Sequence, residues 1–176
     1  MKRQITGAAV AVALAVPALA TATPTIRVEG ATSNTVPLTP VPRTSSTVSV
    51  DDVTDTDALS VPGRSATAQL SRATLLYGLP LGFDIFNFGG PSSFVTRIGA
   101  DVMPPSFSPS WRLKVNHAAS DAGSDTTILG KNDSVLWSYE SDFTAPELDL
   151  TLSRETVAGG GRITATVTSY DNAGKA

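Results

Sequence analysis

The sequence WRLKVNH at residues 111–117 and the sequence GKNDSVLWSY at residues 130–139 decide the fold of this chain. Apolar and polar residues alternate in both, which is the period of a half-buried β-strand. One face of each strand therefore carries large apolar side chains: Trp111, Leu113 and Val115 in the first, and Val135, Trp137 and Tyr139 in the second. We predict that the two strands pair with both tryptophans on the same side. Neither stretch contains a motif typical of catalysis.

The first twenty residues have the pattern of a cleaved export signal. Lys2 and Arg3 precede an uncharged apolar run at residues 5–16, and small residues follow at the position that a signal peptidase reads. A buried N-terminal helix is the alternative, but this run is apolar all round rather than amphipathic. We therefore predict a signal peptide over residues 1–20, with cleavage after Ala20 or alternatively after Ala22. No later apolar run is long enough for a transmembrane helix, so we expect none in the mature chain.

Composition narrows the class of protein. The 176 residues include no cysteine, which excludes thiol catalysis and cysteine-ligated zinc. The formal net charge is -3 and the basic residues are scattered singly, so we expect no nucleic-acid partner. Thr, Ser, Val, Gly and Pro are plentiful, as is typical of extracellular β-rich proteins.

One segment has the spacing of an amphipathic helix. Apolar residues recur every three to four positions over Gly63–Tyr77, with Ser65 placed as the N-cap and Gly78 as the stop. Gln69 and Arg72 are predicted to point away from the apolar stripe. Strands precede and follow this helix, so the sequence predicts an α+β fold with one helix laid across a mixed sheet.

The prolines between Ala31 and Ser46 predict a loop or a poorly ordered hairpin arm, because proline is unfavourable in helices and central strands. From Leu148 onward the pattern becomes two alternating stretches around a glycine turn at 159–161. Residues 148–176 are therefore either a hairpin added to the main domain or the first strands of a second, truncated sandwich domain. We favour the second interpretation, since an isolated hairpin is marginally stable.

In this order and spacing, five pieces of the chain resemble the transcobalamin-like C-terminal domain family of bacterial exported proteins. They are the opening strand Ile26–Gly30, the helix Gly63–Leu76, a Phe-x-x-x-Ile-Gly element at Phe94–Gly99, a Trp-x-Leu-x-Val-Asn strand at Trp111–Asn116 and a Gly-x-x-Asp-x-Val-x-Trp-x-Tyr strand at Gly130–Tyr139. The resemblance covers residues 25–152. Relatives usually show a Gly-Asp pair where this chain has Gly130-Lys131-Asn132-Asp133.

The resemblance implies a β-grasp-like domain over residues 21–147, in which a sheet wraps one helix, and a non-enzymatic role. In vertebrate cobalamin carriers the related domain closes over one face of the corrinoid while a helical domain holds the other. We expect no such helical domain in this sequence. In many bacterial relatives an immunoglobulin-like module follows, and residues 157–174 match its opening without a return strand.

Catalytic and metal sites find little support in the sequence. His117, the one histidine, follows a strand and is predicted to be a solvent-exposed loop residue, although Ser120 and Asp121 are near in sequence. Asp51, Asp52, Asp55 and Asp57 lack the spacing of a calcium loop and are predicted to form a hydrated acidic turn. We assign no catalytic residue, no metal ligand and no carboxylate pair.

Aromatic residues between Leu79 and Trp111 have two interpretations. They either plug the core beneath a long loop or form a rim of rings that holds a flat ligand or a sugar. The candidate ligand-binding residues for that rim are Phe94, Arg97, Phe107 and Trp111, whereas Trp137 and Tyr139 are expected in the core.

Taken together, these patterns predict an exported, non-enzymatic binding or adhesion module of a cell-surface or secreted bacterial protein. Its partner would be a surface ligand or a small molecule, and no cofactor is expected. The alternative is a small-molecule carrier whose ligand is a corrinoid such as cobalamin.

Overall fold

A computed structural model describes residues 23–54, 56–87, 91–154, 156, 159 and 161–176. The predicted signal peptide therefore lies outside the described residues, as do Asp55 and residues 157, 158 and 160 of the predicted immunoglobulin-like opening. No helix in the described ranges has the length and apolar character needed to cross a membrane.

The described chain is mostly β, with one short helix. The helix α1 spans Ala66–Leu76. The strands are β1 (Thr25–Glu29), β2 (Asn34–Pro40), β3 (Val48–Asp51), β4 (Ala58–Val61), β5 (Leu81–Asn87), β6 (Pro91–Ile98), β7 (Asp101–Val102), β8 (Ser110–Val115), β9 (Ala118–Ala119), β10 (Ser134–Glu140), β11 (Glu147–Leu152) and β12 (Ala165–Tyr170).

The main sheet has the strand order β2-β1-β10-β8-β9. Strand β1 runs parallel to β10, and the other neighbours are antiparallel, so the sheet is mixed. In the β8–β10 ladder Trp111 lies opposite Tyr139, and Leu113 lies opposite Trp137. Because residues directly opposite each other share a face, the prediction that both tryptophans face one side is confirmed.

Three smaller sheets accompany the main one. They are the pair β3-β4, the three-stranded sheet β5-β6-β7 and the pair β11-β12. The region of prolines is partly ordered as β2, which pairs with β1 at the edge of the main sheet. An edge strand can leave one side of its backbone unpaired, so it tolerates Pro37 and Pro40.

The helix begins where the Ser65 hydroxyl accepts a hydrogen bond from the amide of Ala68 (3.1 Å), which confirms the predicted N-cap. It ends at Leu76, before Gly78, whose φ of 63° favours glycine. Two details of the prediction are wrong. Tyr77 is 42% exposed rather than on the apolar stripe, and Gln69 is fully buried rather than pointing outward.

The hydrophobic core lies between one face of the main sheet and a layer formed by α1 and the sheets β3-β4 and β5-β6-β7. Ile26, Val28 and Val135 supply that face, and Leu70 of the helix and Ile98 of β6 pack into the same cluster. All five side chains are completely buried. Burying an aliphatic side chain of this size contributes roughly 1.5–3 kcal/mol, so this cluster is the main source of stability.

The segment that follows β12 contacts β9, which is the edge of the main sheet opposite β2. The amide of Ala119 donates to the carbonyl of Asn172 (2.9 Å), and Ala118 bridges to Ala173. Of the two faces of the β11-β12 pair, the one carrying Leu150 and Val167 is exposed. The assignment of residues 148–176 to a separate domain remains a prediction.

Candidate functional site

A pocket of about 260 Å³ lies between β6, β8 and the loop that follows β9. Its walls combine aromatic rings with hydroxyl groups. The rings belong to Phe86, Phe94, Trp111 and Trp137, and the hydroxyls to Ser92, Ser93, Ser120 and Ser124. Binding sites for small molecules are typically apolar with a few polar groups, and this pocket has that composition.

The aromatic wall is positioned by two sheets. Phe86 on β5 and Phe94 on β6 meet edge to face, with ring centroids 6.3 Å apart and an interplanar angle of 69°. Trp111 on β8 is tilted against Tyr139 on β10, with centroids 5.0 Å apart. Each contact holds a ring by packing on its neighbour, so the wall exists before any ligand arrives.

Both tryptophans are buried, with Trp111 4% and Trp137 3% exposed. Neither indole Nε1–H has a hydrogen-bond partner among the described residues. A buried donor without a partner costs about 1–3 kcal/mol, and tryptophan usually finds an acceptor when it is buried. Two unpaired indole donors therefore belong to residues that line this pocket.

The polar wall is organised by the buried carboxylate of Asp125. The Ser92 hydroxyl donates to its Oδ1 (3.3 Å) and the Ser93 amide to its Oδ2 (3.4 Å). On the helix side, the hydroxyls of Thr67 and Ser124 share a hydrogen bond of 2.8 Å. These bonds tie the loop to β6 and to α1, so the serines hold fixed positions around the pocket.

Gly123 allows the loop to turn tightly at the pocket wall. Its carbonyl accepts hydrogen bonds from the amides of Thr126 (3.1 Å) and Thr127 (3.0 Å). A Cβ atom at this position would come within 2.5 Å of the Asp125 carboxylate and 3.2 Å of the Ser92 hydroxyl. Only glycine fits here without displacing the carboxylate.

The structure brings together two of the four residues predicted to bind ligand. Phe94 and Trp111 both line the pocket. Arg97 and Phe107 are not among its lining residues. The exposed Arg97 donates its Nε–H to the carbonyl of Gly99 (2.9 Å), and Phe107 is 54% exposed in the loop before β8.

Sequence reasoning missed most of the pocket. Trp137 was expected in the core; it is buried but also lines the pocket. The serines come from β6 and from the loop after β9, and that loop carried no recognisable motif. Strand alternation could have identified Trp137, because it shares a face with Trp111, whereas only the tertiary structure brings the serines to the same place.

The environment of His117 differs from the sequence expectation. Its side chain is 26% exposed, and its Nδ1 lies 3.1 Å from the Oε1 of the buried Glu147. Ser120 instead bonds to the Thr127 hydroxyl (3.0 Å) and to the carbonyl of Ala122 (3.1 Å). His117 lies in a turn, as predicted, but its ring is only partly exposed, because β11 and β12 cover it.

Asp52 of the acidic turn is less hydrated than predicted, whereas Asp51 and Asp57 are exposed as predicted. Asp52 is 9% exposed, and its Oδ1 accepts hydrogen bonds from the amide and the hydroxyl of Thr54, both at 2.6 Å. Its Oδ2 accepts from the amide of Ile85 (2.7 Å), which ties the turn to β5. Across the described part of the chain, no three potential metal-ligating side chains of this kind converge on one point.

Two titratable groups near the β8–β10 ladder are perturbed. Burial raises the pKa of Glu140, which a hydrogen bond from Ser138 partly opposes. Burial also raises the pKa of Tyr139, with the charge of Asp101 acting in the same direction. The Tyr139 hydroxyl donates to the carbonyl of Val102 (2.6 Å). Neither group lines the pocket, so these shifts bear on stability rather than on the site.

Comparisons with protein-family models, with curated proteins and with solved structures found no match.

Proposed function

We propose that the protein is an exported, non-enzymatic binding module whose ligand site is the pocket between β6 and β8. The observation that carries this proposal is the joint presence of Phe94, Trp111 and Trp137 in one pocket with several hydroxyl groups. Such a lining suits a flat ring or a sugar, since aromatic faces stack on the ring and hydroxyls satisfy its polar edge. The unpaired indole donors would favour a ligand that brings hydrogen-bond acceptors.

A binding role is favoured over catalysis by the identity of the lining groups. None of the described residues that line the pocket is an acid or a histidine. General acid–base chemistry needs such a group within hydrogen-bond reach of the substrate. Asp125 lies behind the wall, where it already accepts hydrogen bonds from Ser92 and from the amide of Ser93.

The carrier function is the second proposal, and it rests on the resemblance to the transcobalamin-like family. A β-grasp-like fold for residues 21–147 and an immunoglobulin-like start at residue 148 belong to the same proposal. The parallel pairing of β1 with β10 and the helix on one face of that sheet are compatible with it. Pockets for small molecules typically span about 300–1,000 Å³, so the volume here suits a small ligand or one substituent of a corrinoid rather than the macrocycle.

Intrinsic fluorescence tests the proposed site directly. The chain has two tryptophans, Trp111 and Trp137, and both line the pocket, so a ligand that enters it changes the tryptophan emission. The protein is titrated with glucose, N-acetylglucosamine, benzyl alcohol and cyanocobalamin, and the cobalamin absorbance is followed separately. We expect a saturable change with a sugar or a flat ring.

A matched pair of variants locates the binding. Phe94→Ala removes a ring from the pocket wall and should weaken binding about tenfold, since a stacked ring contributes on the order of 1 kcal/mol beyond its buried area. Phe107→Ala removes an exposed ring outside the pocket and should leave binding unchanged. Equal effects of both variants would place the ligand elsewhere. Saturable binding of cyanocobalamin alone would favour the carrier function.

Export is tested by expressing the full chain in a bacterium and sequencing the N-terminus of the protein recovered outside the cytoplasm. We expect the mature protein to begin at Thr21, directly after Ala20. Uncleaved protein confined to the cytoplasm would contradict the proposal.

A further inference from the structure

A second pocket, of about 500 Å³, lies between the segment that follows β2 and the start of α1. Its lining includes two arginines, Arg43 and Arg64, together with the hydroxyl residues Thr44 and Ser45. This pocket shares no lining residue with the aromatic pocket. Its character is cationic and polar, whereas the first is aromatic.

The main chain of Leu129 holds the two arginines together. The Leu129 amide donates to the carbonyl of Arg64 (2.9 Å), and the Arg43 Nη1 donates to the Leu129 carbonyl (2.9 Å). The amide of Thr44 in turn donates to the carbonyl of Gly63 (3.3 Å), next to Arg64. The backbones that carry both arginines are therefore fixed relative to each other.

The positive charge of this pocket is not neutralised by the described chain. No carboxylate is among its lining residues, and neither guanidinium comes within 4.0 Å of a carboxylate on a described residue. The chain as a whole carries a formal charge of -3, so a pocket lined by two arginines and by no acidic residue is a local exception. Arg43 uses one N–H group to donate to the Leu129 carbonyl, which leaves its other N–H groups to bind a ligand. Arg64 is exposed to solvent.

The backbone amides at the N-terminus of α1 do not provide the anion-binding groups of this pocket. The amides of Ala66 and Thr67 donate to the carbonyls of Thr127 (2.9 Å) and Ser124 (3.1 Å), and the Ala68 amide donates to Ser65. These amides are therefore occupied. Any anion in this pocket would be held by the guanidiniums and the hydroxyls.

We propose that this pocket binds an oxyanion, either phosphate or sulfate, through Arg43 and Arg64. A guanidinium presents two parallel N–H groups that match two oxygens of such an anion, and charge-assisted hydrogen bonds of this kind are about twice as strong as neutral ones. The Ser45 hydroxyl can donate to a further oxygen. The oxyanion can be a free ion or a group on a polyanionic chain, since one face of the pocket is open to solvent at the exposed Arg64.

The test measures binding of inorganic phosphate and of inorganic sulfate to the full chain by titration calorimetry at low salt. We expect saturable binding that weakens as sodium chloride is added, because salt screens exposed charges. Arg64→Gln should weaken binding about tenfold, since it removes one charge-assisted pair. Arg64→Lys should recover part of the loss, because it restores the charge without the two-pronged geometry.

Arg162→Gln is the matched control, because Arg162 is also exposed but lies outside this pocket. Arg43→Gln also loses the bond to Leu129 and is interpreted only together with its thermal unfolding. The proposal would be overturned if Arg64→Gln left binding unchanged, or if Arg162→Gln weakened it equally. It would also be overturned if neither free ion nor dextran sulfate bound.

Dextran sulfate serves as the probe for a polyanionic chain. If it binds far more tightly than the free ions, and its binding still depends on Arg64, the oxyanion belongs to such a chain. Phe94→Ala should leave all of these affinities unchanged, so this proposal and the aromatic site can fail separately.

Discussion

His117 and Tyr170 stack face to face, with ring centroids 3.8 Å apart and an interplanar angle of 5°. His117 lies in the tight turn between β8 and β9, where Asn116 and His117 both have positive φ, and Tyr170 is the last residue of β12. The stack therefore joins the main sheet to the β11-β12 pair. It also explains why the histidine is shielded rather than free in solvent.

The stack should contribute measurably to the docking of β11 and β12. Tyr170→Ala removes the ring and should lower the free energy of unfolding by about 1 kcal/mol, in the range of aromatic pairs. Hydrogen exchange should accelerate at the amides of β11 and β12 more than in β10. Tyr170→Phe keeps the ring and should behave like the parent chain. Equal exchange in all three proteins would contradict a docking role for this stack.

Glu147 is the buried partner of two basic side chains on the main sheet. Its Oε1 lies 3.1 Å from the Nη2 of Arg27 and 3.1 Å from the Nδ1 of His117. Glu147→Gln should destabilise the protein by about 1–3 kcal/mol in urea unfolding, because it leaves a largely buried guanidinium with a weaker partner. Glu29→Gln removes a more exposed partner of the same Arg27 and should cost less than about 1 kcal/mol. The reverse order would show that the buried pair does not anchor β11.

Gln69 is a destabilising feature of the core, so we expect a suitable substitution to raise the free energy of unfolding. The side chain is completely buried, and neither its Oε1 nor its Nε2 has a hydrogen-bond partner among the described residues. Gln69→Met keeps a similar shape and should raise the free energy of unfolding by about 1–2 kcal/mol, since it removes unsatisfied polar groups. Gln69→Ala leaves a cavity and should not give this gain. A destabilised methionine variant would mean that the amide has a partner in solution.

The pH dependence of thermal stability should reveal the raised pKa of Glu140. Burial raises its pKa above the ordinary 4.5, so the folded protein favours the protonated carboxyl. That contribution is complete below the pKa of the unfolded chain and is lost as pH rises through the raised pKa. Glu140→Gln should therefore be more thermostable than the parent at pH 7, and the difference should vanish toward pH 4.

Asp142 is the control, because its pKa is shifted in the opposite direction. Its variant is compared with the parent in the same thermal unfolding measurements between pH 4 and pH 7. Hydrogen bonds from the hydroxyl and the amide of Thr144 lower its pKa, so its carboxylate stabilises the fold above its unfolded pKa. This contribution is lost as pH falls through the lowered pKa. Asp142→Asn should therefore be less thermostable than the parent at pH 7. Parallel pH profiles for the two variants would contradict the assignment of either shift.

The strand and helix positions could be predicted because they depend on local patterns. Alternation over residues 111–115 and 135–139 identified β8 and β10 and the face on which their tryptophans lie. Ser65 and Gly78 identified the helix ends through capping and a positive φ, which are properties of a few adjacent residues. The alternation does not reveal that Lys114, on the face of β8 opposite Trp111, is buried: the segment after β10 covers it, and its Nζ donates to the Ala145 carbonyl (3.3 Å).

The candidate site could be predicted only in part, since its residues come from distant strands and loops. Phe94 and Trp111 do line the pocket, because each is a large ring on a strand beside a loop, and their role in ligand binding stays a prediction. Arg97 and Phe107 are near them in sequence, yet Arg97 turns to the carbonyl of Gly99 and Phe107 to solvent. Proximity along the chain does not determine which side of a loop faces a pocket.

By itself the sequence determined the β-rich character, the capped helix at residues 66–76 and the shared face of Trp111 and Trp137, because each follows from steric and hydrogen-bonding rules over a few residues. Only the tertiary structure decided that β1 pairs parallel to β10, that β11 and β12 dock through Glu147 and Tyr170, and that serines surround the aromatic wall. Those features join residues far apart in the chain. Their energies exist only after the backbone has brought the groups within contact distance.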